Sequence, residues 1–539
     1  MTDSVDILIT GGTLVDGTGA SARPGTVVVE GDRMRLLPVD GPLSADAPLP
    51  EHVGRHIEAK GRVVAPGFID LHSHGGLVIL AEPRHEPKVR QGVTTEIVGV
   101  DGNGFAPFER REDLLAFVEL DSGLDGRPDI DYDWRSVADL LARFDGTVSV
   151  NVGTLVGNSQ LRIEALGWND IPADDKALDR MRTVLRDAMV EGAVGLSTGL
   201  DYPPGSYATT AELAALTRVA GEAGGIYHTH VRYQLGDRYL DPFKEAIQIG
   251  RRAGAPSHIT HFYHRETHPG GPEALLALVD DARDEGVDVT FDTYPSEWAS
   301  TRLLIQLPGW IQEGGPGPLK QRLADRVARD RLRGAFAERG AAYTSPAGWA
   351  DLRLGAFRRP DLLRWESTTV ADVMQETGHD AVDVICDLLL AEDLGINQVT
   401  SGPWSQTLRE FIKHPVGMVG TDSTFIGAKP SPRTYGSFPR ILGQFVRDEG
   451  LLSLEQAIHK MTGAAATRLG LKQRGTIRDG AYADIVVFDP ATVRNNATYE
   501  DPRQFPTGIE HVVVNGTLVV DGDAHTGATP GRGIRLGVD

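Results

Sequence analysis

His72 and His74 stand one residue apart in APGFIDLHSH, at the carboxyl end of a short apolar run. Residues i and i+2 of a strand project from the same face, so both imidazoles point one way. Neutral imidazole suits zinc and related divalent ions, and two on one face form half a site. Alone the pair is weak evidence, because two packed core histidines look the same. Its partners must come from other segments. GIYHTHV brings His228 and His230, and SHITHF brings His258 and His261. His230 is the more terminal of its pair. His258 and His261 are three apart and face opposite sides of a regular strand, so the more terminal His261 is the expected ligand. VGMVGTDS adds Asp422 after another apolar run. Four histidines and a carboxylate at strand ends point to metal-assisted hydrolysis. A metal-held water has its pKa lowered from about 15.7 towards ~7. Asp422 is placed to take that proton and pass it to a leaving nitrogen. His264 and His268 fall in the next loop and read as substrate-side or surface residues.

The elements that must bring these residues together alternate in type. Candidate strands begin at 67, 93, 149, 193, 225, 257, 287 and 416, with helical patterns such as ALDRMRTVLRDAMVEG and TAELAALTRVAGEAG between them. Eight strands in βα alternation predict an α/β fold, a (β/α)8 TIM-type barrel whose chemistry gathers at the carboxyl ends of its strands. An open doubly wound sheet is the alternative, but no Gly-rich dinucleotide fingerprint follows the first strand. Both ends of the chain alternate apolar and polar residues with turn signals, as in DILITGGTLVDGTGA and GIEHVVVNGTLVVDGD. They read as the two halves of one small β-domain. The expected organisation is 1–62 and 471–539 for that domain and 63–470 for the barrel, with an insertion at about 296–413 before the eighth strand. An insertion on the active face is most simply a lid. Its charged helix in LADRVARDRLRGAF reads as a solvated surface.

Composition narrows the class. The chain has 539 residues and a net charge of -21, which argues against nucleic-acid and anionic-membrane partners. No apolar run approaches the ~20 residues that span a bilayer. The opening MTDSVDILITGG has no basic and apolar leader, so a cytoplasmic enzyme is expected. The single cysteine, Cys386, excludes an intramolecular disulfide and reads as buried in a helix.

PGFIDLHSH, QGVTTEIVG, STGLDYPPGSYA, THVR, VGTDS, YGSFPRILGQFVR, LEQAIHKMTGAAATRLGL and RGTIRDGAYADIVVFDP together resemble the amidohydrolase superfamily, and within it the N-acyl-D-amino-acid deacylases. The resemblance covers nearly the whole chain and implies a β-sandwich for the split terminal domain. It also implies zinc, one or two ions, and a small N-acyl amino acid as substrate. In that family a cysteine after the second strand is a tight or bridging ligand. Here GVTTEIVGVDG places Asp101 at its position. A carboxylate also bridges divalent ions, although as a harder ligand it loosens zinc selectivity. The alternative is a turn cap before Gly102. The resemblance further assigns Tyr202, Tyr294 and Arg433 to the substrate's carboxylate, for which a guanidinium is well shaped. Loop ordering is the other reading of Arg433, and turn packing that of Tyr202. Asn158 replaces a family histidine in LVGNSQLR, and Tyr263 replaces a substrate-side lysine in HFY, so side-chain preference does not carry over. A dihydroorotase- or hydantoinase-type cyclic-amide hydrolase shares the metal site but ordinarily carries a lysine bridge. A catalytically inactive binding module is the reading from a different class.

Overall fold

The structure is a computed structural model describing residues 4–37, 52–233, 238–265, 268–402 and 406–539. Residues 38–51 of the expected N-terminal part and 403–405 of the expected insertion thus lie outside the described residues.

The alternating ends of the chain do form one sheet. Nine strands drawn from both termini pair edge to edge, joined where Val63–Pro66 runs antiparallel to Ile485–Phe488. Alternate residues of these strands point inward, so Ile7, Ile9, Val27, Val29, Ile485 and Val513 make one apolar layer. Each such side chain contributes about 1.5–3 kcal/mol by leaving water. Arg62 clamps the halves, its Nε donating 2.8 Å to Glu510 Oε2.

Between the two halves run eight short parallel strands, numbered here by chain order: Phe68–Asp70, Val93–Val98, Asn151–Thr154, Gly195–Gly199, Ile226–His230, Ser257–Ile259, Val289–Thr293 and Gly417–Val419. The first three pair in order, and the fourth to the eighth pair in order. Val156–Gly157, which continues the third, pairs with the fourth. Past the eighth strand the backbone returns to the first: Asp422 N–H donates to His72 O at 2.8 Å, and Ser73 bridges Ser423 in parallel. Most of these strands are buried along their whole length, which is why they read as apolar runs rather than as alternation.

Helices follow the strands where the periodicity places them. Asp175–Val190 buries Met181, Leu185 and Ala188 on one face and is capped by Asp174, whose side chain accepts from Ala177 N–H. Thr209 caps Thr210–Glu222 in the same way. Cys386 is fully buried in Ala381–Ala391, and burial pushes its thiol up to about 12. Among the described residues no helix is long and apolar enough to cross a membrane.

After the seventh strand the chain builds a three-stranded antiparallel sheet, Trp298–Arg302, Asn397–Ser401 and Leu352–Gly355, with helices packed around it. The charged helix differs from expectation in two ways. It is two helices, Pro316–Ala324 and Arg326–Arg339, broken at Asp325, whose carboxylate accepts from Ala328 N–H and restarts the coil. Nor is it only a solvated surface. Leu319, Leu323, Leu332 and Phe336 are buried with Trp349 and Ile385 in a core of their own.

Candidate metal centre

The strand ends bring six side chains to one place. His72 and His74 follow the first strand, Asp101 the second, His261 the sixth and Asp422 the eighth, while His230 is the last residue of the fifth. Asp101 stands at the centre. Its Oδ1 is 3.4 Å from His72 Nε2, and its Oδ2 is 3.7 Å from His74 Nε2, 3.5 Å from His230 Nδ1 and 3.7 Å from His261 Nε2. Asp422 Oδ1 is 3.3 Å from His74 Nε2 and 3.6 Å from His72 Nε2. Three sets of potential ligand atoms lie close together among the described residues: two share Asp101, namely His72, His74, Asp101 and Asp422, and Asp101, His230 and His261, while the third is His72, His228 and Asp292. All six residues are buried.

The backbone is bent to reach this arrangement. Asp101, His261 and Asp422 have φ of 54°, 34° and 49°, a left-handed conformation uncommon outside glycine. Such strain gathers at functional sites, held by the surrounding structure. Gly199 shows how close the fit is, since a Cβ there would lie 1.8 Å from Asp101 O.

Further carboxylates orient the imidazoles from outside the six. His74 Nδ1 is 2.8 Å from Asp125 Oδ1, and His230 Nε2 is 3.0 Å from Asp201 Oδ2. Asp292, on the seventh strand, accepts from His261 N–H at 2.7 Å and lies 3.7 Å from His72 Nδ1. Tyr233 Oη is 2.9 Å from His261 Nδ1. Such partners fix ring orientation and ligand basicity. Sequence reasoning did not single out Asp125, Asp201, Asp292 or Tyr233. Asp201 stands beside Tyr202 in LDYPPG and Asp292 in VTFDTY, but neither segment marks which imidazole its carboxylate meets.

Charge is balanced inside the cluster. Burial disfavours the Asp101 anion, yet His72, His230 and His261 hold it well below the usual carboxylate range. Burial also opposes a charge on His72, but Asp101 and Asp422 push it up to about 10. His261 goes the other way: burial, helped by His230, keeps it neutral. His228 and His258, the inner members of their pairs, are buried, stacked at 5.3 Å and lowered by burial.

The cluster opens into a cavity of about 980 Å³, which Tyr202, Tyr263 and Tyr294 also line. Trp349 and Leu352, from the segment after the seventh strand, form part of its wall. Burial, reinforced by Asp101, keeps the Tyr202 phenol protonated, and its hydroxyl lies 2.8 Å from Thr301 Oγ1. Two expected substrate contacts stand elsewhere. Asn158 is fully buried behind the wall, its Nδ2 donating to Gly205 O at 2.9 Å, so it secures the loop after Tyr202. Arg433 lies behind Asp422, with Nη1 2.8 Å from Asp422 Oδ2 and Nη2 donating to Ser300 O at 3.1 Å. His264 is a buried residue packed on Tyr239, not a surface one.

The model of the Amidohydrolase family matches residues 55–520. An N-acyl-D-glutamate deacylase of Alcaligenes xylosoxydans xylosoxydans is 34% identical over 99% of this chain and 97% of its own length. A D-aminoacylase of the same organism is 34% identical over 98% and 97%. Among solved structures, an N-acyl-D-glutamate deacylase from Bordetella bronchiseptica, complexed with zinc and a phosphonate inhibitor, superposes with a TM-score of 0.80 at 30% identity. The match covers 99% of this chain and 100% of that one.

Proposed function

The chain belongs to the amidohydrolase family, and from that premise we propose that it hydrolyses the amide of an N-acyl-D-amino acid to a D-amino acid and a carboxylate. We read the eight parallel strands as a (β/α)8 barrel, the terminal sheet as a small β-sandwich domain, and about 296–413 as an insertion that walls the site.

The observation that carries the reading is a set of buried atoms without partners. His72 Nε2, His74 Nε2 and Asp101 Oδ1 make no hydrogen bond among the described residues. Each such atom costs roughly 1–3 kcal/mol if left unsatisfied. Imidazole nitrogens and carboxylate oxygens converging this way fit a divalent cation. His72, His74, Asp101 and Asp422 would hold one ion, and Asp101, His230 and His261 a second. Such an ion polarises the scissile carbonyl and acidifies a water. Zinc, held by the relative from Bordetella bronchiseptica, is the metal we assign, with the Asp101 carboxylate widening the choice towards harder ions.

The chain's own groups do the rest. Burial opposes the Asp422 charge, but Arg433 and His72 hold that carboxyl at about 2, so it is an anion at neutral pH, and we assign it to take the proton of a water that a bound ion would acidify. It then delivers that proton to the leaving nitrogen. Arg433 steadies Asp422 through Nη1, 2.8 Å from Asp422 Oδ2, which leaves Tyr202 and Tyr294 on the cavity wall to meet the substrate's carboxylate. Burial and the neighbouring Tyr263 keep the Tyr294 phenol protonated, hence a donor. A cyclic-amide hydrolase with a lysine bridge fits less well, since no lysine among the described residues lines the cavity and Lys88 is tied to Asp70 and Thr421.

Paired D- and L-N-acyl amino acids, assayed together with hydantoins, test the proposal. Turnover of the D-acyl series is expected; turnover of hydantoins alone overturns it.

A further inference from the structure

The turn that carries Asp125 is gripped from the insertion. Asp121 ends the helix Arg111–Asp121, and its carbonyl closes the turn, accepting from Leu124 N–H at 2.8 Å and Asp125 N–H at 3.2 Å. Its carboxyl accepts from Arg302 Nη1, and Arg302 ends the insertion strand Trp298–Arg302. Arg302, Asp121 and Asp125 are all buried. The neighbouring insertion strand holds the same turn, since Asn397 Nδ2 donates to Gly123 O at 2.8 Å. The approach is close: a Cβ on Gly123 would lie 2.4 Å from Ile396 O. Leu120, one residue before Asp121, is buried with Leu303, Leu304 and Ile396 of the insertion.

At its other end the turn meets the cluster, where Asp125 Oδ1 is 2.8 Å from His74 Nδ1. His74 turns its second nitrogen, Nε2, towards Asp101 and Asp422. A continuous path therefore runs from Arg302 through Asp121 and Asp125 to a candidate ligand. A carboxylate behind an imidazole sets the ring's orientation and basicity, and it does so only while it is itself held in place. Arg302 supplies that hold with a planar, permanently charged donor, in buried surroundings where a hydrogen bond is stronger than in water. The same guanidinium has a second neighbour, its Cζ lying 4.6 Å from the centroid of the Tyr202 ring on the cavity wall.

We propose that Arg302 is a positioning residue for the metal centre: through Asp121 it fixes the turn that sets Asp125 against His74, so the insertion helps assemble the ion site of His72 and His74. This rests on the metal-dependent reading above. The test titrates the metal-loaded protein with a chelator, counting retained ions by elemental analysis, beside thermal melts and steady-state kinetics. Arg302→Met should weaken, about 10- to 100-fold, the ion that a His72→Asn/His74→Asn variant loses, and Arg302→Lys should recover part of it. Asp125→Asn should weaken the same ion, and adding Arg302→Met should weaken it little further, because both act on one contact. Arg302→Met/Asp121→Leu removes both buried polar partners and should regain melting temperature without regaining the ion. Recovery of the ion together with the melting temperature would make Arg302 merely structural and overturn the proposal. So would additive losses with Asp125→Asn. An ion held as in the wild type, with the loss confined to KM, would place the effect on Tyr202 and overturn it too. A wild type that binds no divalent ion sinks the metal-dependent reading as well.

Discussion

Two clusters of buried charge lie two residues apart on the same pair of strands, and they differ in whether the protein satisfies them. Asp70 accepts from His72 N–H and Thr421 N–H through Oδ1, and from Thr421 Oγ1 and Lys88 Nζ through Oδ2. Lys88 also donates to Thr421 Oγ1 at 2.6 Å. Both Asp70 carboxylate oxygens have partners. Two residues along the chain, His72 Nε2, His74 Nε2 and Asp101 Oδ1 turn towards one another and make no hydrogen bond among the described residues. Burial of charge is therefore not the mark of the functional cluster. The mark is a set of ligand atoms that only something from outside can complete.

Breaking each cluster should give a different kind of loss. Asp422→Asn should lower turnover about 10^2- to 10^4-fold while elemental analysis still finds the ion. Loss of all metal in that variant would make Asp422 chiefly a ligand. Lys88→Met leaves the Asp70 carboxylate buried without its countercharge, and should cost about 3–5 kcal/mol in urea denaturation. A change under about 1 kcal/mol would mean the two clusters do not differ as described. Asp101→Ala should lower metal content, with Asp101→Asn as the control that tolerates the left-handed backbone; unchanged stoichiometry in both would leave Asp101 a turn cap. The smallest effect is a slope. Burial raises Glu96, but His85 and Lys88 bring it from 4.5 down to about 2. A carboxyl depressed by folding stabilises fully above its unfolded pKa and loses that contribution as pH falls through its folded one. Thermal melts should fall more steeply from pH 4.5 to 2 in the wild type than in Glu96→Gln, and parallel curves would contradict the pairing.

The six residues of the cluster were legible because each sits where an apolar run stops, and a strand end is a place that sequence can mark. The carboxylates behind them were not. Asp125 and Asp201 come from loops, and loop geometry leaves no period in the sequence. Asp292 lies inside a fully buried strand, and its reach to His261 and His72 depends on how the sixth and first strands sit around it. Arg433 was found by type, but its contact with Asp422 depends on how the helix Arg433–Arg440 leaves the eighth strand. The terminal sheet was legible from alternation at both ends. The break at Asp325 carried a cap signal that the run of charges around it obscured.

The central claim is tested most directly by elemental analysis of the purified protein beside a His72→Asn/His74→Asn variant. The wild type should carry one or two divalent ions per chain, and the variant should lose at least the ion those two imidazoles hold while keeping its circular dichroism. An active preparation without a divalent ion, or a variant with its full metal content, would contradict it.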